Sequence, residues 1–321
     1  MTLSCGEVCA SLYEVAGSAI RPRCNNRRRG AGASLPVCRI LNLMGSSARD
    51  DRLLDDVVSS FAGSSDRRLQ EVMEAAVRHL HAFVSEVGPS REEWRVGIDF
   101  LTAVGRACSD TRQEFILLSD ALGVSSLVES VAFGAAEDAT ESTVLGPFYV
   151  PGSPLREFGD SILEDPDDGQ PLLVRGRVTD LAGHALPGAL VDVWQNASNR
   201  LYAVQDPAQN PNNLRGRFVV TDDGRFEFRT IRPVPYPIPD DGPVGRLLKA
   251  TGRHPWRPAH VHLMVSSPGH RTLTTHLFDA ESPYLDSDAV FGVRDSLVVR
   301  FEADGERDGV VARFEVTLQP V

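Results

Sequence analysis

The texture of this chain changes at Pro147. Before it, apolar residues recur every three or four positions; after it, proline and glycine punctuate short runs rich in β-branched residues. Over 66–87 the set Leu69, Val72, Met73, Ala76, Val77, Leu80, Phe83, Val84 and Val87 falls on one helical face, and Gly88-Pro89 ends the run. The same spacing predicts helices over 91–107, with Ser90 as N-cap, and over 112–122 and 124–133. Strands are predicted over 172–178, 189–193, 218–221, 259–265, 272–277, 297–301 and 310–318. Asp222-Asp223-Gly224 reads as the turn of a hairpin joining 218–220 to 226–228, because φ > 0 suits Asp and Gly there. Many short strands without intervening long helices argue against βαβ units. The expectation is α+β: a helical N-terminal region over 49–140, then an antiparallel β-sandwich over 141–321.

At 321 residues the chain buries a core without disulfide support. A formal charge of -11 excludes a nucleic-acid binder, which needs a net basic face, and favours a small organic substrate or a protein partner. Four of the five cysteines (Cys5, Cys9, Cys24, Cys38) crowd the first 38 residues without paired spacing, so a reducing compartment, the cytoplasm, is expected. Glu7 and Glu14 interrupt any signal peptide, and no run of 18 apolar residues occurs. Residues 1–48, with Arg27, Arg28 and Arg29 and little periodicity, are expected to be a disordered extension; Met44 reads as an alternative start.

Chemistry concentrates in the second half. In Arg257-Pro258-Ala259-His260-Val261-His262 the two histidines lie two apart on a strand and face one side. Alone, that pair reads equally as two metal ligands or as a polar strand face. Upstream, the proline-rich loop 232–243 is stiff and holds Tyr236 at a defined point. Tyr202 follows Trp194-Gln195-Asn196 just past a strand; singly, each tyrosine reads as a packing residue with a wet tip. Taken as a set, two phenolates and two imidazoles offer hard anionic oxygen plus nitrogen, suited to a trivalent ion. A bound cation favours the ionised phenol, which is otherwise neutral at pH 7.

Several motifs in one order carry a family resemblance. These are Thr140-Glu141-Ser142-Thr143-Val144-Leu145-Gly146-Pro147-Phe148-Tyr149, the Tyr236 loop through Gly245, Gly252-Arg253-His254-Pro255-Trp256 running into the histidine pair, and 279–293 with Ser282-Pro283-Tyr284-Leu285-Asp286. On them the chain resembles the intradiol ring-cleavage dioxygenases, hydroxyquinol 1,2-dioxygenases above all, over about residues 48–318. The resemblance implies Tyr202, Tyr236, His260 and His262 as ligands of a non-haem iron(III), with Tyr236 the tyrosine that leaves and accepts a proton. It implies Arg257 as the group stabilising negative charge on the substrate; alone, Arg257 also reads as a structural ion pair. It also implies O2 as cosubstrate, and a homodimer formed through the N-terminal helices, in relatives around a lipid-filled tunnel.

The implied substrate pocket takes Leu117, Asp120, Val144 and Leu145, together with Gly146, Phe148, Ile238 and Pro239. Asp120 is informative, since a carboxylate facing an apolar pocket needs a donor and the third hydroxyl of hydroxyquinol is one. Hydroxyquinol (benzene-1,2,4-triol), opened to maleylacetate (3-hydroxy-cis,cis-muconate), is therefore the expected substrate. Catechol or chlorocatechol is the alternative within the same chemistry, and a non-catalytic transthyretin-like aromatic binder is the alternative outside it, alongside a dimerising interaction protein with a dead site. His276 reads either as a partner of the metal ligands or as a buried structural histidine.

Overall fold

The computed structural model describes residues 48–321 except 110, 111, 135, 137 and 306–307. Nearly all of the 1–48 extension, including Met44, lies outside the described residues. By packing, the chain divides into Met1–Leu101 and Thr102–Val321, a break inside a helix rather than at the change of texture.

In the first unit, helix α1 (Ala48–Ser59) packs on α2 (Arg67–Val87). Asp66 caps α2 by accepting from the Leu69 N–H, and Gly88 ends it in the left-handed region at φ 58. Ser90 and Glu93 form a reciprocal capping box at the start of α3 (Arg91–Ala107), which runs into the second unit. No residue of α2 is buried, and Leu69, Val72, Leu80, Phe83, Val84 and Val87 are all exposed.

The second unit opens with α4 (Glu114–Ala121) and α5 (Val124–Phe133), then builds two sheets. The larger has the order β1-β4-β3-β8-β9-β10, with β1 (Leu155–Arg156), β3 (Leu190–Trp194), β4 (Arg215–Val219), β8 (His260–Ser266), β9 (Leu273–Asp279) and β10 (Val298–Val299). The smaller has the order β11-β12-β2-β5, with β2 (Pro171–Asp180), β5 (Arg225–Ile231), β11 (Glu302–Ala303) and β12 (Val310–Leu318). A two-stranded ribbon pairs β6 (Tyr236–Pro237) with β7 (Trp256–Arg257), and α6 (Pro243–Ala250) lies between them in sequence.

The core follows from the period of two. Val191 and Val193 of β3, Val261, Leu263 and Val265 of β8, and Phe226 and Phe228 of β5 meet Val174, Val178, Phe314 and Val316 between the sheets. Their neighbours Asp192, Trp194, His260 and His262 therefore project from the outer face of the larger sheet, where the site is built.

Three expectations are corrected. The sandwich is mixed rather than antiparallel: β12 runs parallel to β2 over nine register pairs from Val310↔Leu172 to Leu318↔Asp180, and β1–β4 and β9–β10 are also parallel. Alternation reports which face a strand buries, not its neighbour's direction. The turn at Asp222-Asp223-Gly224 joins strands of different sheets, so it is a corner and not a hairpin. Gly224 at φ 85 makes the tight turn, and Phe218 stacks on Phe228 at 5.3 Å across the core. The strand expected over 297–301 is a 3-10 turn, Asp295–Leu297, followed by the two residues of β10. Helices α1 and α6 carried no expectation.

Candidate metal centre and active site

His260 and His262 leave β8 on its outer face with their Nε2 atoms 3.1 Å apart. The His260 Nδ1–H donates to the Pro258 carbonyl at 2.7 Å, which turns the Nε2 lone pair inward. His262 is held by stacking instead: Trp194, its register partner on β3, lies against it at 4.7 Å and 12°. Tyr202 lies beyond the end of β3, fully buried, with its hydroxyl 3.0 Å from His262 Nε2. Tyr236 enters from the proline-rich loop through the β6–β7 ribbon, where it pairs with Arg257. Its ring meets that of Tyr202 edge-on at 5.3 Å, and Phe148 stacks on Tyr202 at 4.5 Å.

Arg257 joins the group. Its Nη1 lies 3.3 Å from Tyr236 Oη and 3.2 Å from His260 Nε2, while Nε and Nη2 face Asp288. The four side chains named from the sequence, and Arg257, thus lie together in one buried cluster.

Burial pushes the His260 and His262 pKa values well below 6.5, helped by the charge of Arg257 and, for His262, by His260. Both imidazoles are therefore neutral and carry a free lone pair at pH 7. Burial likewise raises the Tyr202 phenol above its ordinary value, with Tyr236 adding to the rise and Arg257 opposing it. Burial also works against the Arg257 charge, but Asp288 and the two tyrosines more than offset it. Only a strong positive charge brought among these groups favours a Tyr202 phenolate. Donor atoms 3.0–3.1 Å apart match the spacing of neighbouring ligands on a small ion with bonds of about 2.1 Å. The residues present fit a hard, highly charged metal ion.

His276 of β9, register partner of His262, completes a buried three-histidine group whose donor atoms lie within 4.8 Å of one another. It stacks on His260 at 4.5 Å and 18° and meets His262 edge-on at 4.2 Å. Neither ring nitrogen has a hydrogen-bond partner of good geometry among the described residues. Burial and the neighbouring His262, His260 and Arg257 push its pKa well down, which the Val144 backbone opposes.

The expected pocket residues fall unevenly. Gly146, in the left-handed region at φ 76, approaches so closely that a Cβ there would lie 3.4 Å from His262 Cε1. Phe148 packs on both tyrosines. Leu117 and Asp120 are buried residues of α4, three apart on one helical face. Burial raises the Asp120 pKa, while Ser125 and Arg257 pull it back, so its carboxyl senses the same guanidinium as the ligands. Val144 and Ile238 are buried, Pro239 is half-buried, and Leu145 is exposed.

Sequence reasoning gave no role to Asp288, Gly292 or Trp194, although all three shape the site. Trp194, which β3–β8 pairing sets beside His262, and Asp288, 31 residues from Arg257, follow no spacing rule.

Residues 144–320 match the Dioxygenase family and residues 66–140 match the Catechol dioxygenase N terminus family. A hydroxyquinol 1,2-dioxygenase of Rhizobium sp. (strain MTP-10005) is 48% identical over 254 residues, covering 79% of this chain and 86% of the relative. A 6-chlorohydroxyquinol 1,2-dioxygenase of Cupriavidus pinatubonensis is 49% identical over 242 residues, covering 75% and 87%. The crystal structure of hydroxyquinol 1,2-dioxygenase from Pseudomonas putida DLL-E4 is similar with a TM-score of 0.80 and 48% identity, covering 85% of this chain and 99% of that one. With matched residues spanning both regions and the tyrosine–histidine cluster between the loops, the chain belongs to the intradiol ring-cleavage dioxygenases.

Proposed function

We propose that this enzyme opens hydroxyquinol between its adjacent hydroxyl-bearing carbons, placing both atoms of O2 in maleylacetate (3-hydroxy-cis,cis-muconate). The observation that carries the chemistry is the convergence of Tyr202, His262, His260 and Tyr236 around one buried point beside Arg257. The hydroxyquinol relatives and the buried carboxyl of Asp120 favour the triol.

On this reading Tyr202, Tyr236, His260 and His262 hold a non-haem iron(III). When bound, the ion draws electron density from the diol oxygens and makes a ring carbon the point of oxygen attack. His260, its Nδ1–H tied to Pro258, offers a single tautomer, so no rearrangement precedes ligation. Tyr236 Oη, which Arg257 Nη1 reaches, is the atom that would take a proton from the arriving diol. Arg257 Nη1, which already reaches that oxygen, would stabilise negative charge on a substrate oxygen bound beside it. The aromatic wall of Phe148, Trp194 and Tyr202 excludes water. Leu117, Val144, Leu145, Gly146, Ile238 and Pro239 shape the remainder of the pocket, and Asp120 accepts from the third hydroxyl.

We also propose that 49–140 serves as a dimerisation region, with the exposed apolar face of α2 against a second copy and a phospholipid, as the resemblance implies. No single helix among the described residues is long and apolar enough to cross a membrane. Cys108, the one cysteine among them, is in no disulfide, which fits the cytoplasm.

Oxygen uptake with hydroxyquinol, catechol and chlorocatechol tests the substrate. Asp120→Ala is expected to lower kcat/KM for hydroxyquinol by about 10-fold or more, one buried hydrogen bond to a charged group, with a smaller loss for catechol. Equal losses on the two would sink the assignment. A colourless protein with no oxygen uptake on any diol would favour a carrier, since tyrosinate bound to iron(III) absorbs in the visible.

A further inference from the structure

Arg257 has three guanidinium nitrogens, and only Nη1 reaches the tyrosine–histidine cluster. The other two are committed: Nε donates to Asp288 Oδ1 at 3.0 Å and Nη2 to Asp288 Oδ2 at 3.2 Å, with both side chains almost wholly buried. This two-point fork fixes the plane of the guanidinium as well as its position. Asp288 is itself fixed, because the Val290 N–H donates to Oδ1 at 3.3 Å and the Gly292 N–H to Oδ2 at 3.0 Å. Its loop is pinned in turn: the Thr143 hydroxyl donates to the Gly292 carbonyl at 2.6 Å, the Ser126 hydroxyl to the Phe291 carbonyl at 2.8 Å, and the Ala289 N–H to the Trp256 carbonyl at 3.1 Å. Phe291 sits in the left-handed region at φ 55, a strained conformation for a phenylalanine that these bonds retain.

We infer that Asp288 is a positioning residue for the ring-opening reaction: it aims Arg257 Nη1 at Tyr236 Oη and at a substrate oxygen bound beside it. A carboxylate taking four donors, two from a guanidinium and two from its own loop, is a bracket for that one direction. Gly292 belongs to the bracket, since a Cβ there would lie 2.9 Å from Arg257 Nη2 and 3.2 Å from Asp288 Oδ2. The inference rests on the proposed role of Arg257 in the dioxygenase reaction.

Two variants test it. Asp288→Asn turns an amide N–H toward a guanidinium N–H, and Gly292→Ala displaces the guanidinium while keeping both charges. Each is expected to lower kcat by about 30-fold or more, less than the roughly 100-fold for removing such a donor outright, with KM changed less than about 3-fold because the charge develops during reaction. Iron per chain and the visible absorption band should stay at wild-type values, a readout that general loss of structure would move. Guanidinium ion should restore turnover to Arg257→Ala by at least about 10-fold, and restore none to Arg257→Ala/Asp288→Ala. Wild-type kcat in both variants, or equal rescue with and without Asp288, overturns the inference. Loss of kcat only in proportion to lost iron overturns it too. Absence of oxygen uptake by the wild-type enzyme on every diol would instead overturn the functional reading beneath it.

Discussion

Asp192 lies beneath the site on β3, two residues before Trp194, and is 5% exposed. Its Oδ2 accepts from the Tyr149 hydroxyl at 3.3 Å, while its Oδ1 has no hydrogen-bond partner among the described residues. Burial pushes its pKa up to about 6 against the pull of Tyr149, Arg217 and Arg215. In the unfolded chain the carboxyl ionises near its ordinary value of 3.8. Between about pH 4 and pH 6 the folded protein therefore keeps a proton that the unfolded chain has released, so stability falls as pH rises through that window and is level above it. Each pKa unit is worth 1.36 kcal/mol, so the loss over the full titration is about 3 kcal/mol, on the order of 6–12 °C in Tm for a unit of this size. Asp192→Asn keeps the shape and cannot ionise. Urea unfolding of both proteins at pH 4, 5, 6 and 7 should show the stability of the variant relative to wild type rising by roughly 2 to 2.5 kcal/mol from pH 4 to pH 7, since the unfolded carboxyl is already more than half ionised at pH 4. A difference that does not change with pH would refute the reasoning, because it would mean that Asp192 ionises in the folded protein as it does in water.

Tyr202→Phe deletes the hydroxyl 3.0 Å from His262 Nε2; it is expected to lose most of its iron and its visible band, measured as metal per chain, and full retention of both would remove Tyr202 from the ligand set. Stripping the metal with a chelator should bleach the wild-type protein and lower its Tm, because an ion bound only by the folded state stabilises it; an unchanged Tm would argue against a buried ion. Gly176→Ala would place a Cβ 2.0 Å from the Phe314 carbonyl oxygen and 2.5 Å from Phe226 Cζ, so a loss of about 3 kcal/mol or more is expected in urea unfolding, and a loss under about 1 kcal/mol would show that β2 and β12 separate easily there.

Local physics made much of this protein readable from its residues. Helical periodicity, with Gly88 and Ser90 at the ends, marked α2 and α3 because caps and the 3.6-residue repeat act within a few positions. Alternation marked β8 and put His260 and His262 on one face, since side chains two apart on a strand must share it. The family resemblance that the quoted motifs carry then implied the two tyrosines and Arg257. Tertiary structure alone decided the rest. It set β12 parallel to β2, turned Asp222-Asp223-Gly224 into a corner between sheets, laid Trp194 on His262, brought His276 against both histidines, and bound Asp288 to Arg257. Strand alternation tells which face is buried but not which strand lies alongside, and a fully buried arginine must find a carboxylate somewhere without any rule of spacing saying where.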